Sequence, residues 1–131
     1  MKKIGVLNKD ISEVIAGMGH TDSLVIADAG LPIPKGVRRI DLALTPGTPG
    51  FIETVKAVCR EIEVQEIILA EEIVSSNPEV YALLKEIFSD VQTTMIPHEQ
   101  LKELSKSTSA VIRSGECTPY ANIIIVSGVI F

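Results

Sequence analysis

The chain contains two histidines, His20 and His98, the side chains whose charge ordinarily changes between pH 5 and 8. His20 stands in GMGHTDSLVIADAG (residues 17–30), just before an apolar run from Leu24 to Ala27, and Asp28 follows that run. A titratable group therefore lies beyond each end of one strand-like segment. The other polar groups at predicted element ends are Asp41, Glu71, Glu72, Arg113, Glu116, Tyr120 and Asn122. Imidazole and carboxylate suit proton transfer. The hydroxyl of Tyr120, the amide of Asn122 and the carboxylate of Asp28 suit the hydroxyls of a neutral sugar or other polyol.

Each residue also has a plain structural account. His20 follows a predicted helix, whose negative end a cation would cap. His98 falls at the second position of a helix opened by Pro97, where a solvent-facing residue is the simpler account. If both line a site, the helix C-terminus favours imidazolium at His20 and the helix N-terminus neutral imidazole at His98. His20 is then the better acid, and His98 the better neutral hydrogen-bond partner or base. Asp28 invites an Asx-turn, Asp41 a pairing with Arg38 or Arg39, and Glu71–Glu72 a solvated face. Arg113 and Glu116 bracket the turn RSGE and read most simply as an ion pair. Tyr120 and Asn122 lie two residues apart at the start of an apolar strand, which would put them on one face; the plainer account has Tyr120 covering the sheet edge in a Pro-containing turn.

The chain lacks GxGxxG, GxxxxGK[ST], HExxH, CxxC and a serine nucleophile elbow. TPGTPG before a helix could offer amides to a phosphate, but its two prolines remove donors. Two histidines and unclustered cysteines argue against a metal site. From the residues alone, the expectation is a small acid/base or binding site for an uncharged polar ligand, without cofactor or metal.

These groups need elements to hold them. At 131 residues the chain fits a single domain, 1–131, able to bury a core without disulfide or metal staples. Aromatic residues are 4% of the chain, so that core must be aliphatic. A net charge of −5 without basic clusters argues against nucleic acid or an anionic membrane surface as partner. Cys59 and Cys117 read as free thiols of a reduced chain. No apolar run is long enough for a signal peptide or a membrane span, so a cytoplasmic location is expected. Asn8 caps a predicted helix that ends near Met18. Further helices are predicted from Thr48–Pro49 to about Glu63, from a cap at Asn77–Pro78, and from Pro97. Strands are predicted at 23–28, 37–44, 64–70, 91–96, 109–114 and 122–128. Strands alternating with helices predict a single three-layer α/β/α domain with a mostly parallel mixed sheet of about six strands. No helix separates the last two strands, so one of them is expected to run antiparallel.

GHTDSLVIADAGLPIP (19–34), His98 after a proline, AVIRSGECTPYAN (110–122) and the terminal GVIF together resemble the D-ribose pyranase family of sugar mutarotases. The two long motifs cover about a fifth of the chain. The related fucose mutarotases share GH-x-D and a late Tyr-x-Asn, but they depart at DAGLP and lack TPYAN. The resemblance implies a cofactor-free isomerase interconverting the β-pyranose and β-furanose forms of D-ribose and feeding a ribokinase. It implies His20 as proton donor, and Asp28, His98, Tyr120, Ala121 and Asn122 as substrate-binding residues, with Asp28 or His98 as base. It also implies a three-layer sandwich assembled as a homo-oligomeric ring, typically a decamer. The alternatives are a non-catalytic sugar-binding module and a mutarotase of another sugar such as fucose. Leu24 to Asp28 alone span roughly 13 Å as a strand. Either GHTD turns back over that strand, or the site is shared between subunits.

Overall fold

Uninterrupted apolar runs such as LVIA and IIIV can form strands only where both faces of a sheet are covered. The structure, a computed structural model describing residues 1–131, meets that condition. Its elements are α1 (Lys9–Gly17), β1 (Ser23–Ala27), β2 (Arg39–Asp41), α2 (Phe51–Cys59), β3 (Val64–Ala70), α3 (Ile73–Ser76), α4 (Pro78–Ile87), β4 (Gln92–Ile96), α5 (His98–Ser105), β5 (Val111–Arg113) and β6 (Ile123–Ser127). The six strands form one sheet in the order β2-β5-β1-β6-β3-β4. Five run in one direction, and β6 runs antiparallel to both neighbours, β1 and β3.

Strand alternation divides the apolar side chains between two cores. Leu24 and Ile26 of β1, Ile67 and Leu69 of β3, and Ile123 and Ile125 of β6 join a cluster of 19 buried residues. Residues of α1 (Ile11, Val14), α2 (Val55, Val58) and α4 (Val80, Leu84) also belong to it. The intervening residues Val25, Ala27, Ala70 and Ile124 face a smaller cluster of 7, covered by Leu101 of α5 and by Leu31 of the loop after β1. The second outer layer is therefore one helix plus irregular chain, a thinner cover than the first.

Local chemistry explains where elements begin and end. Asn8 accepts the Ile11 N–H at 3.0 Å and caps α1, a contact worth about 1 kcal/mol. The second helix starts later than Thr48–Pro49, at Phe51, because Thr48 is held in a turn through Thr48 N to Thr45 O at 2.9 Å and Leu44 N to Thr48 O at 3.0 Å. It stops at Cys59 rather than near Glu63, whose carbonyl accepts from Gly128 N at 2.8 Å beside the sheet. The expected strand at 37–44 shrinks to Arg39–Asp41: Val37 closes a turn on Pro34 O, and the Ala43 N–H is taken by the Asp41 side chain. β5 is likewise shorter than 109–114, and α3 was not foreseen.

Gly115 ties two loops of the site edge together. Its N–H donates to Pro49 O at 2.8 Å, and its carbonyl accepts from Gly47 N at 2.6 Å. A Cβ there would lie 2.3 Å from Thr48 O, a backbone atom that cannot swing away. Gly115→Ala is expected to lose about 1–3 kcal/mol in urea unfolding. Gly36→Ala, where nothing lies within 4 Å, is expected to stay within about 0.5 kcal/mol.

Candidate active site

The reversed β6 brings its own amino end to the edge where the other five strands have their carboxyl ends. Residues 28, 41, 71, 98, 113 and 122 therefore collect along one edge, the place where open α/β sheets carry ligands. Asp28, His98, Tyr120 and Asn122 line one cleft of about 320 Å³ there, together with Leu31 and Pro32.

Asn122 is 1% exposed and serves Asp28 twice. Its Oδ1 accepts the Asp28 N–H, and its Nδ2 donates to Asp28 Oδ2, both at 2.9 Å. Asp28 Oδ1 accepts the Gly30 N–H at 3.0 Å. The Asx-turn is thus present, and it fixes the carboxylate at the cleft. His98 is the first residue of α5, one position earlier than expected, and it is partly buried rather than solvent-facing. Its ring meets Tyr120 edge-on, with centroids 5.0 Å apart, a packing worth about 0.5–1.5 kcal/mol. Its Nδ1 is buried without a hydrogen-bond partner in the protein. The backbone N–H of His98 donates to Glu72 Oε2 at 3.0 Å, so Glu72 caps α5 instead of lying on a solvated face. Nothing local foreshadows that contact, since 26 residues separate the partners.

Tyr120 does not share a strand face with Asn122 as expected. It precedes β6 in the left-handed region (φ 55°), and the Asn122 N–H donates to Tyr120 O at 2.9 Å. The two converge on the cleft through this turn rather than by alternation. Ala121 is fully buried in the larger core and does not line the cleft.

The expected Arg113–Glu116 pair does not form. Arg113 and Asp41 are register partners on β5 and β2, and Arg113 Nη1 binds the Asp41 carboxylate at 3.1–3.2 Å. Arg38 instead pairs with Asp10 and Glu13 of α1. Desolvation raises the pKa of Asp41, but the Ala43 N–H and Arg113 outweigh it and hold the carboxyl below its ordinary range. Glu116 accepts from Phe51 N, Thr118 N and Thr118 Oγ1. Burial raises its pKa, and these donors outweigh burial to leave it lowered.

His20 lies at the opposite edge. GHTD forms a tight turn in which Asp22 Oδ2 accepts the Gly19 N–H at 2.7 Å and Thr21 takes φ 68°. Thr21 N donates to Ser127 O at 2.9 Å, which anchors the turn beside the end of β6. The segment does not turn back over β1, so about 16 Å of strand separates His20 from Asp28. His20 does not act as the helix cap of the simpler account; its Nε2 lies 2.7 Å from Gln65 Oε1. With the Gln65 amide oriented this way, its oxygen accepts a hydrogen bond from His20 Nε2. A second cleft, about 440 Å³, runs beside His20 past Glu63, Ser127 and the terminal Phe131.

Burial pushes the Cys59 thiol up to about 12, which makes it a poor nucleophile. No three His, Cys, Asp or Glu side chains are grouped to hold a metal ion. No helix is long and apolar enough to cross a membrane.

The lowered Glu116 makes a signed prediction. Its contribution to stability is full above the ordinary glutamate value of ~4.3 and is lost as pH falls through the lower folded value. Glu116→Gln is therefore expected to be less stable than the parent at pH 7, and by a smaller margin at pH 3. Urea midpoints at the two pH values check this.

Residues 1–130 match the family described as the RbsD / FucU transport protein family. The chain is 54% identical over 131 residues to D-ribose pyranase of Clostridium perfringens (strain SM101), covering 100% of both chains. It is also 54% identical to D-ribose pyranase of Geobacillus thermodenitrificans, covering 100% of this chain and 99% of that one. The solved structure of Bacillus subtilis RbsD complexed with D-ribose superposes with a TM-score of 0.98 at 48% identity, covering 100% of both chains. With this match spanning nearly every residue, the chain belongs to the RbsD / FucU family.

Proposed function

We propose that the chain is a D-ribose pyranase, an isomerase that interconverts β-D-ribopyranose and β-D-ribofuranose. The observation that carries this reading is the cleft where a fixed carboxylate (Asp28), a buried amide (Asn122), a phenol (Tyr120) and an imidazole (His98) converge. Full-length relatives named D-ribose pyranase support it. The cleft residues offer donors and acceptors suited to sugar hydroxyls, without a concentration of positive charge for a phosphate. Ala121, with its side chain in the core, would contribute through its main chain.

The exchange runs through the open-chain aldehyde. The C1–O5 bond breaks as a proton reaches O5 and another leaves the anomeric hydroxyl. Closure follows when O4 attacks C1, losing its proton while the aldehyde oxygen gains one. Protons are conserved and no electrons are transferred, so positioned acid and base groups suffice. Each supplies about 10²–10⁴-fold. In this reading His20 delivers the proton to the ring oxygen, and Asp28 or His98 takes the other. Tyr120 and Asn122 orient hydroxyls. The furanose product suits a sugar kinase of the cytoplasm.

Within one copy His20 is too far from the cleft for one pentose to touch both. The reading therefore requires a site shared between subunits, with His20 of one copy facing the cleft of the next. The exposed apolar residues Ile130 and Phe131 beside the His20 cleft support an oligomer interface there. A closed ring such as a decamer satisfies every such interface alike.

Exchange NMR of ribose should show faster pyranose–furanose interconversion with protein, and His20→Ala should lower that rate at least 10²-fold while retaining ribose binding. Binding by the parent protein without faster exchange would leave a sugar-binding module instead. Mixing His20→Ala with Asp28→Asn subunits after dissociation should restore activity in about a quarter of the sites. No recovery in a mixed oligomer would refute the shared site.

A further inference from the structure

Asn77 precedes Pro78, which holds it out of the helical region at φ −146° and ψ 62°. Its backbone joins two helices: its N–H closes α3 on Ile73 O at 2.9 Å, and its carbonyl accepts from Tyr81 N of α4 at 3.1 Å. An asparagine in this position ordinarily caps the following helix with its side chain, as the Asn77–Pro78 pair led us to expect. Here α4 has no side-chain cap. The side chain, 7% exposed overall, crosses instead to the loop that carries Tyr120. Its Nδ2 donates to Thr118 Oγ1 and to Pro119 O, both at 2.9 Å. A carbonyl only accepts, so the Pro119 contact sets the orientation of the amide.

The residue after Pro119 is Tyr120, in the left-handed conformation that a non-glycine residue keeps only where its surroundings impose it. Thr118 also donates to Glu116 Oε1 at 2.9 Å, and Glu116 Oε2 accepts the Phe51 N–H at 3.2 Å. The loop is thereby tied to the starts of both α2 and α4. A local preference is set aside in favour of a remote loop, a departure expected where a fold serves a site.

We infer that Asn77 is a positioning residue for the sugar cleft. It holds Pro119 and Tyr120 so that the Tyr120 ring stands edge-on to His98. This inference rests on the reading of that cleft as the ribose site.

Asn77→Asp keeps the shape and removes both donors. In the assembled full-length protein, ribose exchange rates measured against ribose concentration yield KM and kcat. Aromatic NMR without sugar reports the shift that the His98 ring imposes on Tyr120. The expected result is a KM raised about tenfold with kcat within about threefold, since uniform binding is what a displaced Tyr120 loses. The Tyr120 shift should collapse, and the melting midpoint should fall as well, because a buried carboxylate is left facing the Pro119 carbonyl. Should Asn77→Asp fail to fold, Thr118→Val removes one of the two acceptors on an exposed residue, and a smaller change in the same direction is expected. An unchanged KM and unchanged Tyr120 shift in a folded variant overturn the inference, as does a lowered melting midpoint alone. If the parent protein does not accelerate ribose exchange, the sugar reading fails, and the Tyr120 shift still decides whether Asn77 holds the loop.

Discussion

The direction of β6 is the constraint on which the rest depends. Its run of isoleucines must be buried on both faces, and as a central strand it must hydrogen-bond along both edges. It does so by inserting antiparallel between β1 and β3. The reversal delivers residues 120–122 to the edge where Asp28 follows β1 and α5 begins at His98. Run the other way, β6 would present Tyr120 and Asn122 to the His20 edge.

The cleft so formed is polar yet built next to the core, and its order comes from satisfied hydrogen bonds. Asn122 engages Asp28 through backbone and carboxylate, Glu72 caps the helix that carries His98, and Glu116 joins α2 to the loop before Tyr120. Buried polar groups are costly unless partnered, so each contact also selects a single arrangement of the loops. His98 Nδ1 is the buried side-chain atom left without a partner, and it lies in a residue that lines the cleft. An unpaired buried acceptor or donor at such a place suits contact with a ligand hydroxyl.

The two clefts lie at opposite edges of one sheet. The GHTD turn keeps His20 beside Gln65 and the apolar C-terminus, while Asp28 stands a full strand away. A fold of this size cannot bend β1 to bring them together without breaking the ladder to β5 and β6.

By itself the sequence determined what depends on short range. Alternating burial, the Asn8 cap and the Pro and Gly punctuation located the main elements, and the apolar runs required a sheet covered on both faces. The motifs around His20, Asp28, His98 and Tyr120–Asn122 were legible as residues, because chemical type and spacing are local properties. Their partners were not. Arg113 meets Asp41 rather than Glu116 because β5 and β2 lie side by side, a pairing over 72 residues. Glu72, Asn77 and Gln65 act on residues 26 to 45 positions away, and no local pattern encodes such distances. Tyr120 and Asn122 converge through a left-handed turn that alternation could not foresee. Which polar groups face one another is settled when strands choose neighbours and directions, and only the tertiary structure makes that choice.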